Sequence, residues 1–223
     1  MKDSIVLIPA HNESRNISAV VTSAREYLPV VVVDDGSTDE TANLAKAAGA
    51  DVLRQSPNQG KGTALLAGFR HVLKSGYKTV ITLDGDGQHD PAEIPKFLAA
   101  YRDHPTGLII GRRNFTKMPF IRRLANTLGR TVFSLSIGHP VADNQSGYRL
   151  INNRLMNLML AVDEPGFEFE VDMVVLALKH ELGIGWVPIK TIYTGGASHI
   201  KPIPHLVNFL RVCLKAHQAM RWA

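Results

Sequence analysis

Residues 78–91 read KTVITLDGDGQHDP, and this stretch decides the fold. Its β-branched apolar run (Thr79, Val80, Ile81, Thr82, Leu83) is the pattern of a strand buried on both faces, as in a parallel sheet. The run stops at Asp84, Gly85 and Asp86. Bare carboxylates are costly to bury unless a cation or hydrogen-bond donors meet them. Two of them one residue apart at the end of a central strand therefore point to a divalent ion and to something that ion holds. Gly85 and Gly87 leave room for a bulky ligand to approach the backbone. The plainer reading of the same residues is a tight Asp-Gly turn with both acids solvated. A calcium loop of the EF-hand kind is excluded, because His89 and Pro95 stand where its glycine and terminal glutamate are required.

The same pattern recurs upstream. Ser4 to Ala10 (SIVLIPA) is a predicted strand followed by His11, Asn12 and Glu13, and Ile17, Val20, Val21, Ala24 and Leu28 then recur at helical spacing. Val30 to Val33 is a wholly apolar strand that stops at Asp34 and Asp35, after which Ser37 and Glu40 are spaced as a capping box for a helix through Ala48. Asp51 to Gln55 is a third strand, with Asn58, Gly60, Lys61 and Gly62 just ahead of a helix to Ser75. Downstream, Asp90, Pro91 and Glu93 supply an N-cap, a first-position proline and a first-turn acid for a helix to Tyr101. Leu108 to Ile110 is a further strand, followed by Gly111, Arg112 and Arg113.

This alternation predicts a single α/β domain whose mostly parallel central sheet is flanked by helices, with a ligand crevice beyond the carboxyl ends of the strands. Every polar cluster named so far falls at such an end, so the fold gathers them. A dehydrogenase is excluded, because PAHNES follows the first strand where a glycine fingerprint is needed. GKGT (60–63) is not a phosphate-binding loop, since the leading glycine of that pattern is missing.

The second half is less regular. Thr116 to Leu135 mixes Arg122, Arg123 and Arg130 with apolar residues as a basic amphipathic helix, and Asp143 to Leu150 (DNQSGYRL) is a polar loop leading into a strand. Phe167 to Lys179 is a helix bearing Glu168, Glu170 and Asp172, of which Asp172 is expected to point inward. Gly185 to Tyr193 is a late strand, placed near a sheet edge by its proline. Leu206, Phe209, Leu210, Cys213 and Leu214 form the apolar side of a last helix whose other side bears Arg211, Lys215 and Arg221.

With 223 residues, 45% of them apolar, the chain can bury one core without dividing. No run of eighteen apolar residues exists and no basic n-region precedes the first strand, so neither a spanning helix nor a signal peptide is expected, and folding in the cytoplasm is. Cys213 is a lone cysteine, read as a small core residue. The net charge of +5 is uneven, for neither His104 to Ala142 nor Leu182 to the end contains an acid, whereas both carry several cations. Such a field suits phosphates on a nucleotide, a nucleic acid or a membrane surface.

IPAHNE (8–13), VVDDGSTDET (32–41), LDGDGQHDP (83–91), IGRR (110–113) and DNQSGYR (143–149) together resemble the inverting glycosyltransferases of family two, of GT-A fold, and within them the dolichyl or polyprenyl phosphate mannosyltransferase and glucosyltransferase group. The resemblance runs from Ile5 to about Ile200. It implies a nucleotide-sugar binding half (1–113), an acceptor half (114–200) and a basic amphipathic C-terminal helix (201–223). It further implies that Pro9, His11 and Glu13 line the nucleotide pocket and that Val33 and Asp35 contact base or ribose. Asp84 is assigned to the ribose or diphosphate region, and Asp86, with Asp84 and beside Gly85 and Gln88, to a magnesium or manganese ion on the diphosphate. Arg113 and Arg122 face donor diphosphate or acceptor phosphate, and Lys61 is counted among the residues that bind the donor. In YTGGASHI (193–200), Tyr193, Ala197 and His199 replace the arginine, acid and lysine of the family's lid, leaving His199 either to donate a hydrogen bond to phosphate when protonated or to be an ordinary exposed loop histidine.

The expected reaction is transfer of a hexose from a GDP-mannose or UDP-glucose type donor to a polyprenyl phosphate at the cytoplasmic membrane face. An ionised acceptor phosphate needs no strong base, so positioning and charge neutralisation suffice. Transfer to a sugar hydroxyl of a glycan is the alternative, and it would require a base, for which Asp143, Glu170 and Asp172 are the candidates. A nucleic-acid binding module is disfavoured, because aromatics are not interleaved with the cations and acids occupy the crevice.

Overall fold

Three apolar segments, Ser4–Ala10 (β1), Val30–Asp35 (β2) and Thr79–Thr82 (β4), are buried along their whole length, which requires helices on both faces of the sheet they form. In a computed structural model, residues 3–113, 120–161, 169–190, 192 and 202–221 are described, the backbone alone for 120–122, 124–126 and 202–208. The helices alternate with strands as the sequence requires. Between β1 and β4 come α1 (Ile17–Arg25), α2 (Thr41–Ala47), β3 (Asp51–Gln55) and α3 (Lys61–Lys74). Beyond β4 come α4 (Ile94–Asp103), β5 (Leu108–Arg113), α5 (Phe120–Ile137), β6 (Arg149–Asn152), α6 (Asn153–Met159), α7 (Phe169–Lys179), β7 (Ile184–Ile189) and α8 (Pro202–Arg221).

The seven strands lie in the order β3-β2-β1-β4-β6-β5-β7. Pleating sends alternate β1 residues to opposite cores. Val6, Ile8 and Ala10 pack with α1, α2 and α4, whereas Ile5 and Leu7 pack with α3, α6 and α7, onto which α5 and α8 close. Cys213 is buried in the second of these cores. The Pro188 strand, β7, is an edge strand, as expected.

One strand departs from the simple alternation. β6 runs antiparallel and inserts between β4 and β5, pairing Thr82 with Arg149 and Ile110 with Arg149 on its other side. Because it runs against its neighbours, its beginning lies at the edge where they end, and so the 143–148 loop is delivered to the same rim as Asp84 and Arg113. An α/β alternation alone would have left that loop at the opposite end.

The capping box expected from Ser37 and Glu40 does not form. α2 begins at Thr41 with Glu40 as N-cap and no side-chain cap bond, Glu40 bonds the Asn43 amide, and Ser37 Oγ accepts from the Asn12 N–H. Asp90 does cap the turn at Pro91–Glu93 through the Ala92 N–H.

Gly36 turns the chain out of β2 at φ +71, and a Cβ there would lie 2.6 Å from the backbone nitrogen of Asn58. Gly36→Ala is expected to cost about 2–4 kcal/mol by denaturant unfolding, from left-handed strain plus the clash. Gly76→Ala, at φ +81 in open space, is expected to lose only about 1 kcal/mol from the backbone term.

Candidate active site at the strand ends

Two loops at the rim are laced together by backbone donors and short polar side chains. The Asn12 N–H donates to Ser37 Oγ, the Glu13 N–H to Thr41 Oγ1 and the Ser14 N–H to Asp39 Oδ2, while Asn12 Oδ1 accepts from the Thr38 N–H. Asp39 also accepts from the backbone and hydroxyl of Thr41, and these bonds, the Thr41 hydroxyl foremost, hold its pKa down at about 2. His11 Nδ1 bonds the Asp35 carbonyl at 2.9 Å. The SerThrAsp run after β2 is thus a set of staples for the loop after β1.

Asp35 does a similar job one loop further on. Its two oxygens accept from the Gln59 and Gly60 N–H groups, both at 2.8 Å. That fixes the backbone ahead of α3 and sets Lys61 at the rim. Lys61 Nζ lies 2.7 Å from Asp84 Oδ1 and 2.9 Å from Glu170 Oε1. Burial works against the ammonium charge, but Asp84 and then Glu170 outweigh it and raise its pKa. Burial likewise opposes ionisation of Asp84, and Lys61 followed by His89 reverses this, holding its pKa at about 2.

His89 is buried against Tyr148, and burial lowers its pKa despite the nearby Asp84 and Asp86. The Asp84 N–H donates to its Nδ1, so the ring contributes an acceptor there. On the other side, Gly147 leaves the space that Asp84 fills, since a Cβ on it would come within 2.6 Å of Asp84 Oδ2. Thr82 Oγ1 donates to the Gly147 carbonyl at 2.7 Å and fixes that approach.

Behind the rim sits Arg149, with no exposed surface. Its guanidinium donates to the carbonyls of Ser146, Asn144 and Glu170, joining the 143–148 loop to the start of α7. Burial pulls its pKa down to about 10, with Glu170, Asp143 and Asp84 opposing, so it remains a cation at neutral pH. Arg113 forms a two-pronged pair with Asp143, Nε to Oδ2 at 2.7 Å and Nη2 to Oδ1 at 2.9 Å.

The cavity these elements enclose measures about 360 Å³, within the range of small-molecule pockets. Of the residues singled out in the sequence, Pro9, His11, Glu13, Asp35, Lys61, Asp84, Gly85 and Asp86 line it, joined by Ala10, Asn58, Gly60 and Ala64. The remainder are placed differently. Val33 is a fully buried core residue whose side chain does not reach the cavity. Gln88 is exposed beyond Asp86, donating its N–H to Asp86 Oδ1 and accepting from the Ile192 N–H. Asp143, 1% exposed, also accepts from the Arg113 and Gln145 N–H groups, so it orients Arg113 and is in no position to take a proton from a sugar hydroxyl. Glu170 is the acid of α7 that meets Lys61, while Asp172 is half-buried on the same helix. The Arg122 side chain, Glu168 and His199 lie outside the described residues.

The carboxylates bear on a metal. Burial raises the Glu13 pKa, and Asp86 and Asp84 raise it further against the Asn16 bond, which marks an accumulation of negative charge. Asp84 is met by Lys61, whereas Asp86 has no salt-bridge partner among the described residues. No cluster of three or more metal-ligating side chains occurs among the described residues. The donor set therefore fits a hard divalent ion held by one or two carboxylates and completed by phosphate and water, the usual arrangement for magnesium on a nucleotide, and does not fit an all-protein cage.

Comparison with known proteins agrees with this geometry. Residues 5–158 match the Glycosyl transferase family 2 profile, and the chain belongs to that family. It is 31% identical to the polyprenol monophosphomannose synthase of Mycolicibacterium smegmatis, over 83% of this chain and 76% of that one. It is 28% identical to the UDP-N-acetylglucosamine–dolichyl-phosphate N-acetylglucosaminyltransferase of Methanococcus voltae, over 87% and 88% respectively. Its fold matches glucosyl-3-phosphoglycerate synthase from Mycobacterium tuberculosis, solved with Mn2+, UDP-glucose and phosphoglyceric acid, at a TM-score of 0.74 and 21% identity, covering 97% of this chain and 80% of that one. The fold is accordingly GT-A.

Asp84, with a pKa of about 2 against an ordinary 3.8, contributes stability that is complete above about pH 4 and is lost as pH falls towards 2. Across that window the wild-type protein is expected to lose about 2 kcal/mol more than Asp84→Asn, measured by denaturant unfolding at each pH.

Proposed function

We propose that this family 2 glycosyltransferase moves a hexose from a nucleotide sugar to a polyprenyl phosphate at the cytoplasmic face of a membrane, with inversion at the anomeric carbon. The observation that carries the reading is the strand-end cavity, where a nucleoside-sized space meets a carboxylate rim beside Lys61 and Arg113. The lipid-phosphate acceptor is supported by the activities for which the two relatives are named; these use different sugars, so the donor class rather than its sugar is proposed.

In this reading the loops at Pro9–Glu13 and Asp35, stapled as described, hold the nucleoside. Asp86, with Asp84 next to it, would hold magnesium or manganese. When bound, that ion neutralises charge developing on the departing nucleoside diphosphate. Lys61 and Arg113 flank the phosphates, and Asp143 keeps the Arg113 guanidinium in one orientation. The acceptor phosphate oxygen forms the new bond to the anomeric carbon as the bond to the diphosphate breaks. It is ionised beforehand, so the engagement of Asp143 with Arg113 is no obstacle.

Access to a lipid acceptor is supported by the paired helices α5 and α8, which pack on one another. Leu128 and Leu135 of α5 are 61% and 76% exposed, and Leu210 and Leu214 of α8 are 47% and 64% exposed. Residues seven apart, and four apart, share one side of a helix, so each pair forms a stripe. On α5, Arg123 and Arg130 lie on another side of the helix from the leucines, but on α8 Arg211 and Arg221 lie beside them. Such a face fits an anionic bilayer, each nearby cation contributing about 1 kcal/mol. No helix among the described residues is long and apolar enough to cross a membrane.

Two outcomes are expected. Asp86→Asn should lower turnover of a nucleotide sugar with a polyprenyl phosphate by about 100-fold or more, and should abolish the Mn2+-dependent rise in melting temperature given by UDP or GDP. Replacing Leu128, Leu135, Leu210 and Leu214 with Gln should cut binding to anionic vesicles in flotation while leaving the melting-temperature response to nucleotide unchanged. Vesicle binding that ignores those leucines, and salt, would remove the membrane part of the reading.

A further inference from the structure

Lys61 is placed where a second cation is wanted. Its ammonium bridges Asp84, at the end of β4, and Glu170, on the first turn of α7, with contacts of 2.7 and 2.9 Å. Neither carboxylate is readily turned away to receive another ion. Asp84 is wedged over Gly147, where even a methyl group would collide with it, and its own N–H is tied to His89. Glu170 follows from a backbone carbonyl held by the buried Arg149. The Lys61 backbone is also fixed, because Asp35 grips the Gly60 N–H just before it. What can move is the Lys61 side chain itself, a flexible stem that is 43% exposed and lines the cavity.

We propose that in the free enzyme the Lys61 ammonium fills the cation position at Asp84, so that a divalent metal binds there only together with a nucleoside diphosphate. The proposal rests on the metal reading of Asp84 and Asp86 given above and adds an order of binding to it. A divalent ion arriving alone must settle within a few ångströms of a positive charge that already satisfies Asp84, leaving Asp86 as its main protein ligand. One carboxylate is a poor site for a hard ion that keeps several waters. A diphosphate changes the balance, since its negative charge accommodates both cations and gives Lys61 a new partner without withdrawing it from Glu170. The lysine thus keeps the carboxylate rim neutralised between turnovers and screens it against metal without substrate.

The test is calorimetric titration of the full chain with Mn2+ alone, and with Mn2+ in the presence of UDP or GDP, for wild type, Lys61→Met and Lys61→Arg. Lys61→Met should bind Mn2+ alone about tenfold or more tightly than wild type, the effect of removing a like charge at close range, whereas Lys61→Arg should stay near wild type. The nucleotide should tighten Mn2+ binding far more in wild type than in Lys61→Met. Should Lys61→Met fail to fold, Lys61→Met with Glu170→Gln removes one of the two carboxylates left unpaired and carries the same readout. If Lys61→Met binds Mn2+ alone no better than wild type while both bind it with nucleotide, the proposal fails and the metal reading stands. If wild type binds Mn2+ with neither nucleotide, the metal reading fails and takes the proposal with it.

Discussion

A carboxylate at the end of a buried strand must be met by a cation or by donors, and here the surroundings of Asp84 are arranged by that requirement. Lys61 supplies the charge, Gly147 the space, and Thr82 the hydroxyl that holds Gly147 in place. These three come from α3, the 143–148 loop and β4, elements far apart in the chain. They converge because β6 runs antiparallel between two strands of the opposite direction and starts where those strands stop. A parallel strand in the same slot would carry the loop to the far side of the sheet and take Gly147 away from Asp84.

The second fixed point is Arg149. An arginine with no exposed surface carries a desolvation cost of several kcal/mol, and attraction to carboxylates at a distance does not by itself repay it. Here the planar fork is answered by three backbone carbonyls, two in the 143–148 loop and one at Glu170. The arrangement ties the part of the site that meets Asp84 to the helix that supplies the second partner of Lys61. A lysine in the same place, a point charge with no planar fork, would not hold three carbonyls in fixed relative positions. The cost of burial is accepted at the one position from which a single side chain can set both sides of the crevice.

What the sequence made legible follows from what a sequence encodes locally. Unbroken apolar runs in β1, β2 and β4 and the acids that end them are local signals, and the strand-end crevice followed from them. Partner choice across the chain is not local. Ser37 and Glu40 have the spacing of a capping box, yet the Ser37 hydroxyl accepts from the Asn12 N–H of the neighbouring loop and α2 has no side-chain cap. The family resemblance assigned Val33 to the nucleotide, but the pleat turns its side chain into the core. Among alternating acids on α7 the sequence offers no reason to name the partner of Lys61, which is Glu170. The antiparallel course of β6 had no signature beyond a polar loop before four residues of strand.

The charges of the crevice also bear on why a metal belongs there. A nucleoside diphosphate would enter a space lined by Glu13, Asp84 and Asp86, with Glu170 close behind. Carboxylates repel phosphates, and the described cations within reach are already engaged: Lys61 with Asp84 and Glu170, Arg113 with Asp143, Arg149 with carbonyls. Binding the diphosphate by rearranging these pairs alone would strip a carboxylate of its partner each time a cation turned to a phosphate, and an uncompensated buried charge is worse than a solvated one. A cation that arrives with the substrate avoids this, adding positive charge without subtracting any. Asp86, which no described cation pairs, and Asp84, once Lys61 turns to the diphosphate, can take that ion without either carboxylate being left uncompensated.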